Sequence, residues 1–186
     1  MLTLDFINVG YGDAILIRDT GAAFSMLVDC GDITVGDGGP ESKRISAAEF
    51  LRREGIHTLD LLVLTHLHRD HSGGLTELLR TVNVREFWCS YLPPHEHWGS
   101  RVRVEKGFSA GSRCLLESLN IYLLALKTLE AQNTAIRLIE QSLPSAGLTA
   151  SLGTEVYLED RELFRRQSEI WQSVLEGNPS DKELDE

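Results

Sequence analysis

Residues 59–74 read LDLLVLTHLHRDHSGG, and this one stretch limits the fold more than any other. Its first part, LDLLVL, is apolar nearly throughout instead of alternating. That suits a strand buried on both faces, with helices covering at least one side. Its second part places three of the chain's six histidines between positions 66 and 71. A covered strand running straight into a histidine-rich turn needs packing on its flanks and has the chemistry to hold a ligand at its end.

The donors in that turn are His66, His68, Asp70 and His71. A spacing of two along an extended segment puts His66 and His68 on the same side, so both imidazoles can face one ion. Asp70 and His71 follow as the chain turns toward the next helix and can reach a second position nearby. Imidazole and carboxylate suit zinc, and also manganese or iron. Ser72-Gly73-Gly74 permits a tight backbone turn and sets a helix N-terminus beside the ions, where an anionic group is favoured. Two-metal sites hold ions ~3.5–4 Å apart and generate a hydroxide nucleophile at neutral pH, so hydrolysis is the first reaction class to consider. The plainer alternative is a histidine-rich surface loop with no ion.

Around this stretch the chain reads as α/β. Leu2, Leu4 and Phe6 alternate, AILIRD (14–19) and FSMLVDCGD (24–32) are short apolar runs, and GYGD (10–13) is turn chemistry. A Gly/Asp/Pro loop (32–42) precedes ISAAEFLRREG (45–55), a helix stopped by Gly55. LTELLR reads as a helix, VREFWCSYL (84–92) as a strand, and 93–112 as a loop. Leu115, Leu119, Tyr122, Leu126 and Leu129 then step by four and three, which predicts a long helix over 113–143, docked on the core or presented to a partner. A strand at 154–158 and a helix at 161–175 are expected to follow. Without repeat or linker, residues 1–178 read as one domain and 179–186 as an acidic, frayed tail.

Bulk properties exclude some functions. A net charge of −10 over 186 residues disfavours an affinity built on neutralising many phosphates, so small substrates are expected ahead of nucleic acid. Cys30, Cys89 and Cys114 form no CxxC pair and read as reduced thiols. No basic leader and no run approaching the ~20 apolar residues of a spanning helix is evident, so a soluble, cytoplasmic protein is expected, without membrane.

HLHRDH resembles the HxHxDH signature of the metallo-β-lactamase superfamily, at the place that family puts it, after a strand and before a helix. LVDCG (27–31) resembles the aspartate motif ending an earlier strand of the same fold. FINVGYGDAILI (6–17) is similar to the opening of the branch related to the hydrolase domain of the DNA-uptake protein ComEC, which usually carries Gln where Tyr11 stands. The resemblance covers roughly the first half of the chain. It implies the N-terminal half of an αββα sandwich, with a mixed sheet, flanking helices and the one long helix. It also implies that His66 and His68 bind one metal and Asp70 and His71 a second, with Asp70 as a catalytic proton shuttle. Asp29 would support the metal loop by hydrogen bonds, or else be a plain turn residue. Asp13 and Asn8 would lie in a loop near the site, or simply form the turn.

The superfamily's second half normally adds a bridging carboxylate at the end of an LTGD-like strand and a histidine in an HHGS-like stretch. Neither pattern occurs here, and no histidine follows His97. His95 and His97 could chelate or be solvated loop residues. The late carboxylates Glu155, Glu159, Asp160 and Glu162 read as surface groups. The expectation is therefore a metal-dependent hydrolase of ester or phosphodiester type, with a site this chain fills only in part; nothing singles out β-lactams. The alternative is a non-catalytic or regulatory metal-binding module. Either reading leaves a sheet to be covered, by a second copy in a homodimer or by a complementing C-terminal half.

Overall fold

The computed structural model describes residues 1–32, 34, 42–104, 107–139 and 169–177. Six strands form one mixed sheet in sequence order: β1 (Leu2–Phe6), β2 (Ile15–Asp19), β3 (Phe24–Val28), β4 (Thr58–Leu64), β5 (Asn83–Cys89) and β6 (Ala135–Leu138). β1, β2 and β3 pair antiparallel, and β3, β4, β5 and β6 pair parallel. The antiparallel part needs only short turns. Each parallel step needs a crossover, and the sequence supplies helices for them. These are α1 (Ala47–Arg53) between β3 and β4, then α2 (Arg69–Ser72) and α3 (Leu75–Thr81) between β4 and β5, and α4 (Ala110–Ala131) between β5 and β6.

Register sorts the side chains onto two faces. Leu16, Leu27, Leu62 and Phe87 are partners in adjacent strands, and all four are fully buried. They join Leu51 of α1, Leu75 and Leu78 of α3, and Leu116, Leu119 and Leu126 of α4 in one core. Burying such a side chain is worth ~1.5–3 kcal/mol, so this face holds the molecule together. Tyr122 of α4 carries its hydroxyl into that core and donates it to the Tyr91 carbonyl. On the other face, Leu4 opposes Ile17, Ile17 opposes Met26, and Phe6, Ile15 and Val28 form the next row. Leu2, Leu4, Phe6 and Phe24 are exposed there. The apolar alternation of β1 thus marks a face the described residues leave bare at that end of the sheet.

Local signals place the helix ends. Ser46 caps α1, its hydroxyl accepting from the Glu49 amide, and Gly55 turns the chain after it with φ +71. Ser109 caps α4 in the same way through Ser112. The one long helix is present, but it does not run to 143. It ends at Ala131, Asn133 takes φ +58, and residues 135–138 form β6 beside β5. The leucine stripe stops at Leu129. Beyond it Ile136 and Leu138 alternate, and they pair with Phe87 and Cys89 on the core side. Gln132 fastens the turn: its side-chain carbonyl accepts from the Val84 amide, and its amide donates to the Leu79 and Val82 carbonyls. The strand expected at 154–158, the start of the helix expected at 161–175 and the tail lie outside the described residues. Residues 169–175 are helical, with Trp171 and Val174 buried. Within the described residues no helix is long and apolar enough to cross a membrane.

Candidate metal centre

The centre forms where parallel strands end. β4 stops at Leu64, and the chain passes through Thr65–Leu67 into the short helix α2, with His68 in extended geometry at its N-terminal cap. Two short helices replace the single helix start expected after the histidines. A second loop, 29–32, leaves β3 alongside. Asp29 has φ +58 and Gly31 φ +60, a left-handed geometry that aspartate tolerates and glycine adopts freely.

The two loops are bonded into one unit. The Cys30 amide donates to the His71 carbonyl at 2.8 Å, and the Gly74 amide to the Gly31 carbonyl at 2.8 Å. Gly73 and Gly74 leave no room for side chains. A Cβ would come 2.7 Å from the Arg69 carbonyl oxygen at Gly73, and 2.6 Å from that of Cys30 at Gly74. The loop at 10–13 closes over the same place, and a Cβ at Gly12 would collide with the Asp70 carbonyl.

His66, Asp70 and His71 each bring one ligand atom into a cluster in which all three lie within 4.8 Å of one another. The His66 and His71 rings sit 3.8 Å apart, centroid to centroid. His68 is exposed and meets His66 edge-on at 4.9 Å, outside the three-donor set. The donor set fits a divalent ion: two imidazole nitrogens and a carboxylate oxygen, with a coordination position left open, is a zinc-like arrangement. His66 has its pKa lowered, chiefly by burial and then by His71 and His68, which favours the neutral, ligating imidazole.

Asp29 organises the imidazoles from beneath. It is 2 % exposed, with one carboxylate oxygen accepting from the Thr65 amide at 2.8 Å. The other oxygen accepts from the Thr65 hydroxyl at 2.7 Å and faces His71 Nδ1 at 2.8 Å. Thr65 Oγ1 in turn lies 3.0 Å from His66 Nδ1. Since the hydroxyl proton goes to Asp29, Oγ1 is left to accept from His66 Nδ1–H. Both rings therefore carry their proton on Nδ1, and both keep the Nε2 lone pair free. His71 Nε2 points toward the Asp70 carboxylate, 3.5 Å away.

Two features of this scaffold were invisible to motif reading. Thr65 looks like the last residue of an apolar strand, and only a polar residue at its buried end hints at a task. Arg69 lies inside the motif but turns away from the donors, pairing with the buried Asp32 at 2.6 Å and reaching Thr34 and Glu117. Asp13 and Asn8 are both exposed in the neighbouring loop, and the Asn8 carbonyl accepts from the Ile45 amide. His95 bonds Glu130 of α4 at 2.6 Å and packs on Trp98, and His97 lies in the same short 3-10 turn. His57 is exposed just before β4, at the end opposite the metal loop. Glu155, Glu159, Asp160 and Glu162 lie outside the described residues.

The histidine–aspartate cluster thus sits where the parallel strands β3 and β4 of a mixed α/β sheet end, the place where such sheets commonly carry ligand sites. The family model of the metallo-beta-lactamase superfamily matches residues 7–165, and the chain belongs to that superfamily. No curated protein matches it.

Proposed function

We propose that the protein is a metal-dependent hydrolase acting on a small ester or phosphodiester, from the ComEC-like branch of its superfamily and working in the cytoplasm. The observation that carries this reading is the convergence of His66, Asp70 and His71 at the end of β4. His66 and His71 would hold the ion through Nε2, with His68 at its edge and Asp70 as carboxylate donor. Zinc is the metal of choice, with manganese or iron as substitutes. When bound, the ion supplies Lewis-acid polarisation of the scissile bond and a nucleophile at neutral pH. Asp29 and Thr65 keep both imidazoles in the ligating tautomer, and Asp70 takes up and returns the proton. Tyr11, whose side chain is exposed, belongs to the 10–13 loop that packs on the Asp70 backbone through Gly12.

A second reading, a non-catalytic metal-binding module completed by another chain, is supported by the ligand count. Among the described residues this is the one group of three donors, and it contains a single carboxylate. On that reading the chain is the N-terminal half of a binuclear centre. One experiment addresses both: metal content by mass spectrometry, and hydrolysis of bis-p-nitrophenyl phosphate with added Zn²⁺ or Mn²⁺. The hydrolase reading expects a retained ion and turnover abolished by His66→Ala. A retained ion without turnover under any metal selects the module. A purified, folded chain that holds no metal overturns both.

A further inference from the structure

We propose that the groove between α4 and the segment 99–104 is a second ligand site, fitted to a small monoanion with an apolar body, such as an aryl carboxylate. It lies outside the donor cluster, and neither reading of the metal centre is needed for it. The groove offers about 550 Å³, within the range of small-ligand pockets. Glu117, Asn120, Ile121 and Leu124 fall at i, i+3, i+4 and i+7, so they share one face of α4, and all four line it. Asn120 fastens the opposite wall. Its side-chain carbonyl accepts from the Val102 amide at 2.7 Å, and its amide donates to the Val102 carbonyl at 3.0 Å. The Gly99 amide donates to the Leu123 carbonyl at 2.9 Å, so the segment is tied to the helix at two points. A wall braced in this way needs little ordering when a ligand enters.

The lining selects the occupant. Val104, Ile121 and Leu124 give the groove an aliphatic side. Leu124 is 49 % exposed there, whereas Leu116, Leu119, Leu123 and Leu126 of the same helix are fully buried. Arg69 and Arg101 bring two guanidinium groups and Glu117 one carboxylate, so the lining has one positive charge in excess, in a chain at −10. Arg101 is exposed, and among the described residues no side chain pairs with it. Arg69 is held by Asp32 at 2.6 Å and Thr34 at 3.1 Å, and its contact with the exposed Glu117 is the longest, at 3.3 Å. An entering carboxylate can pair with Arg101 through two parallel bonds and compete with Glu117 for Arg69. A cation would meet both arginines, and a dianion would leave one charge unmatched beside Glu117. A monoanion balances the lining, and its apolar body covers Ile121 and Leu124.

The test is an amide NMR titration of the full chain with 2-naphthoate, using 2-naphthamide as the neutral analogue. The expectation is saturable binding with a dissociation constant of about 1 mM or tighter, the scale of a fragment-sized ligand. Shifts should gather at 99–104 and 117–124, and naphthamide should leave those amides unmoved. Arg101→Ala should weaken binding about tenfold, the scale of one lost charge-assisted hydrogen bond. Glu117→Gln should tighten it about two- to fivefold by removing an exposed like charge. Both residues are exposed, and circular dichroism checks that each variant is folded. Absence of saturable binding overturns the proposal, as do shifts confined to other segments, equal binding of naphthamide, or an affinity that neither substitution changes. The titration is run with Zn²⁺ and with EDTA; binding lost in EDTA places the ligand on the metal and also overturns it. Metal content and turnover are separate readouts, so failure of the hydrolase reading leaves this result intact.

Discussion

Replacing Asp29 with asparagine separates the task of holding the loop from the task of preparing the ligands. Asparagine suits the φ of +58 at this position, so the backbone is not strained as it would be by alanine. Its carbonyl oxygen can still accept from the Thr65 amide, the bond now made at 2.8 Å. Its amide nitrogen then stands where a carboxylate oxygen faced two donors, the Thr65 hydroxyl and His71 Nδ1. The hydroxyl can rotate and accept. His71 cannot keep its proton on Nδ1 and also make a bond there. It either loses the bond or moves the proton to Nε2, and in that tautomer the ligating lone pair is gone. Loss of such a supporting partner lowers metal affinity by about 10–100-fold, or ~1.4–2.7 kcal/mol. Unfolding free energy of the metal-free chain should fall by about 1–3 kcal/mol, the scale of one charged hydrogen bond. Competition with a chelator measures the first quantity and urea unfolding of the metal-free chain the second. Thr65→Val, which removes the link to His66 Nδ1, should weaken metal binding in the same direction. A folded Asp29→Asn chain that binds zinc as tightly as wild type would refute the tautomer argument, whatever its stability.

Other consequences can be checked with simple measurements. Gly12→Ala places a methyl group against the Asp70 carbonyl in a φ of +79, so melting should fall and metal binding weaken together; an unchanged melting curve would show that the 10–13 loop does not seat on the site. Cys30 and Cys89 are buried, which pushes the first thiol well up and the second to about 11, while Cys114 is exposed; Ellman's reagent should therefore label one thiol in the native chain and three in denaturant. Glu49 is pulled down to about 2 by its bonds to Arg52 and Arg53. A lowered folded value stabilises the protein above the ordinary carboxylate range near 4.3, and that contribution disappears as pH falls toward 2. Glu49→Gln should flatten this part of the acid-unfolding curve, and an identical curve would refute the assignment.

Much of the architecture could be read from residue patterns, because the patterns were of the strongly periodic kind. LDLLVL marked a covered central strand, HLHRDH marked the end of that strand where the donor cluster gathers, and Ser46 and Gly55 marked the limits of a helix. Three things escaped. The end of α4 was misplaced because leucine spacing through Leu129 continues smoothly into Ile136 and Leu138, and a stripe of apolar residues does not reveal a change of period until the turn at Gln132–Asn133 is seen. The grouping of donors depended on tertiary geometry: spacing paired His66 with His68, whereas the cluster gathers His66 with Asp70 and His71. The supports, Thr65 and the Arg69–Asp32 pair, act through hydrogen bonds between segments more than thirty residues apart, which no local pattern encodes.

The donors and their supports all fall between Asp29 and His71, whereas the helix that closes the core over them ends only at Ala131. On a ribosome the chain therefore owns its whole three-donor cluster, relay included, well before it can finish its hydrophobic interior. Synthesis of residues 72–131 takes roughly 3–12 s at ordinary elongation rates. During that interval an ion could meet the ligands on a nascent chain. The segment that carries the donor cluster is thus complete before the helix that closes the core has been made.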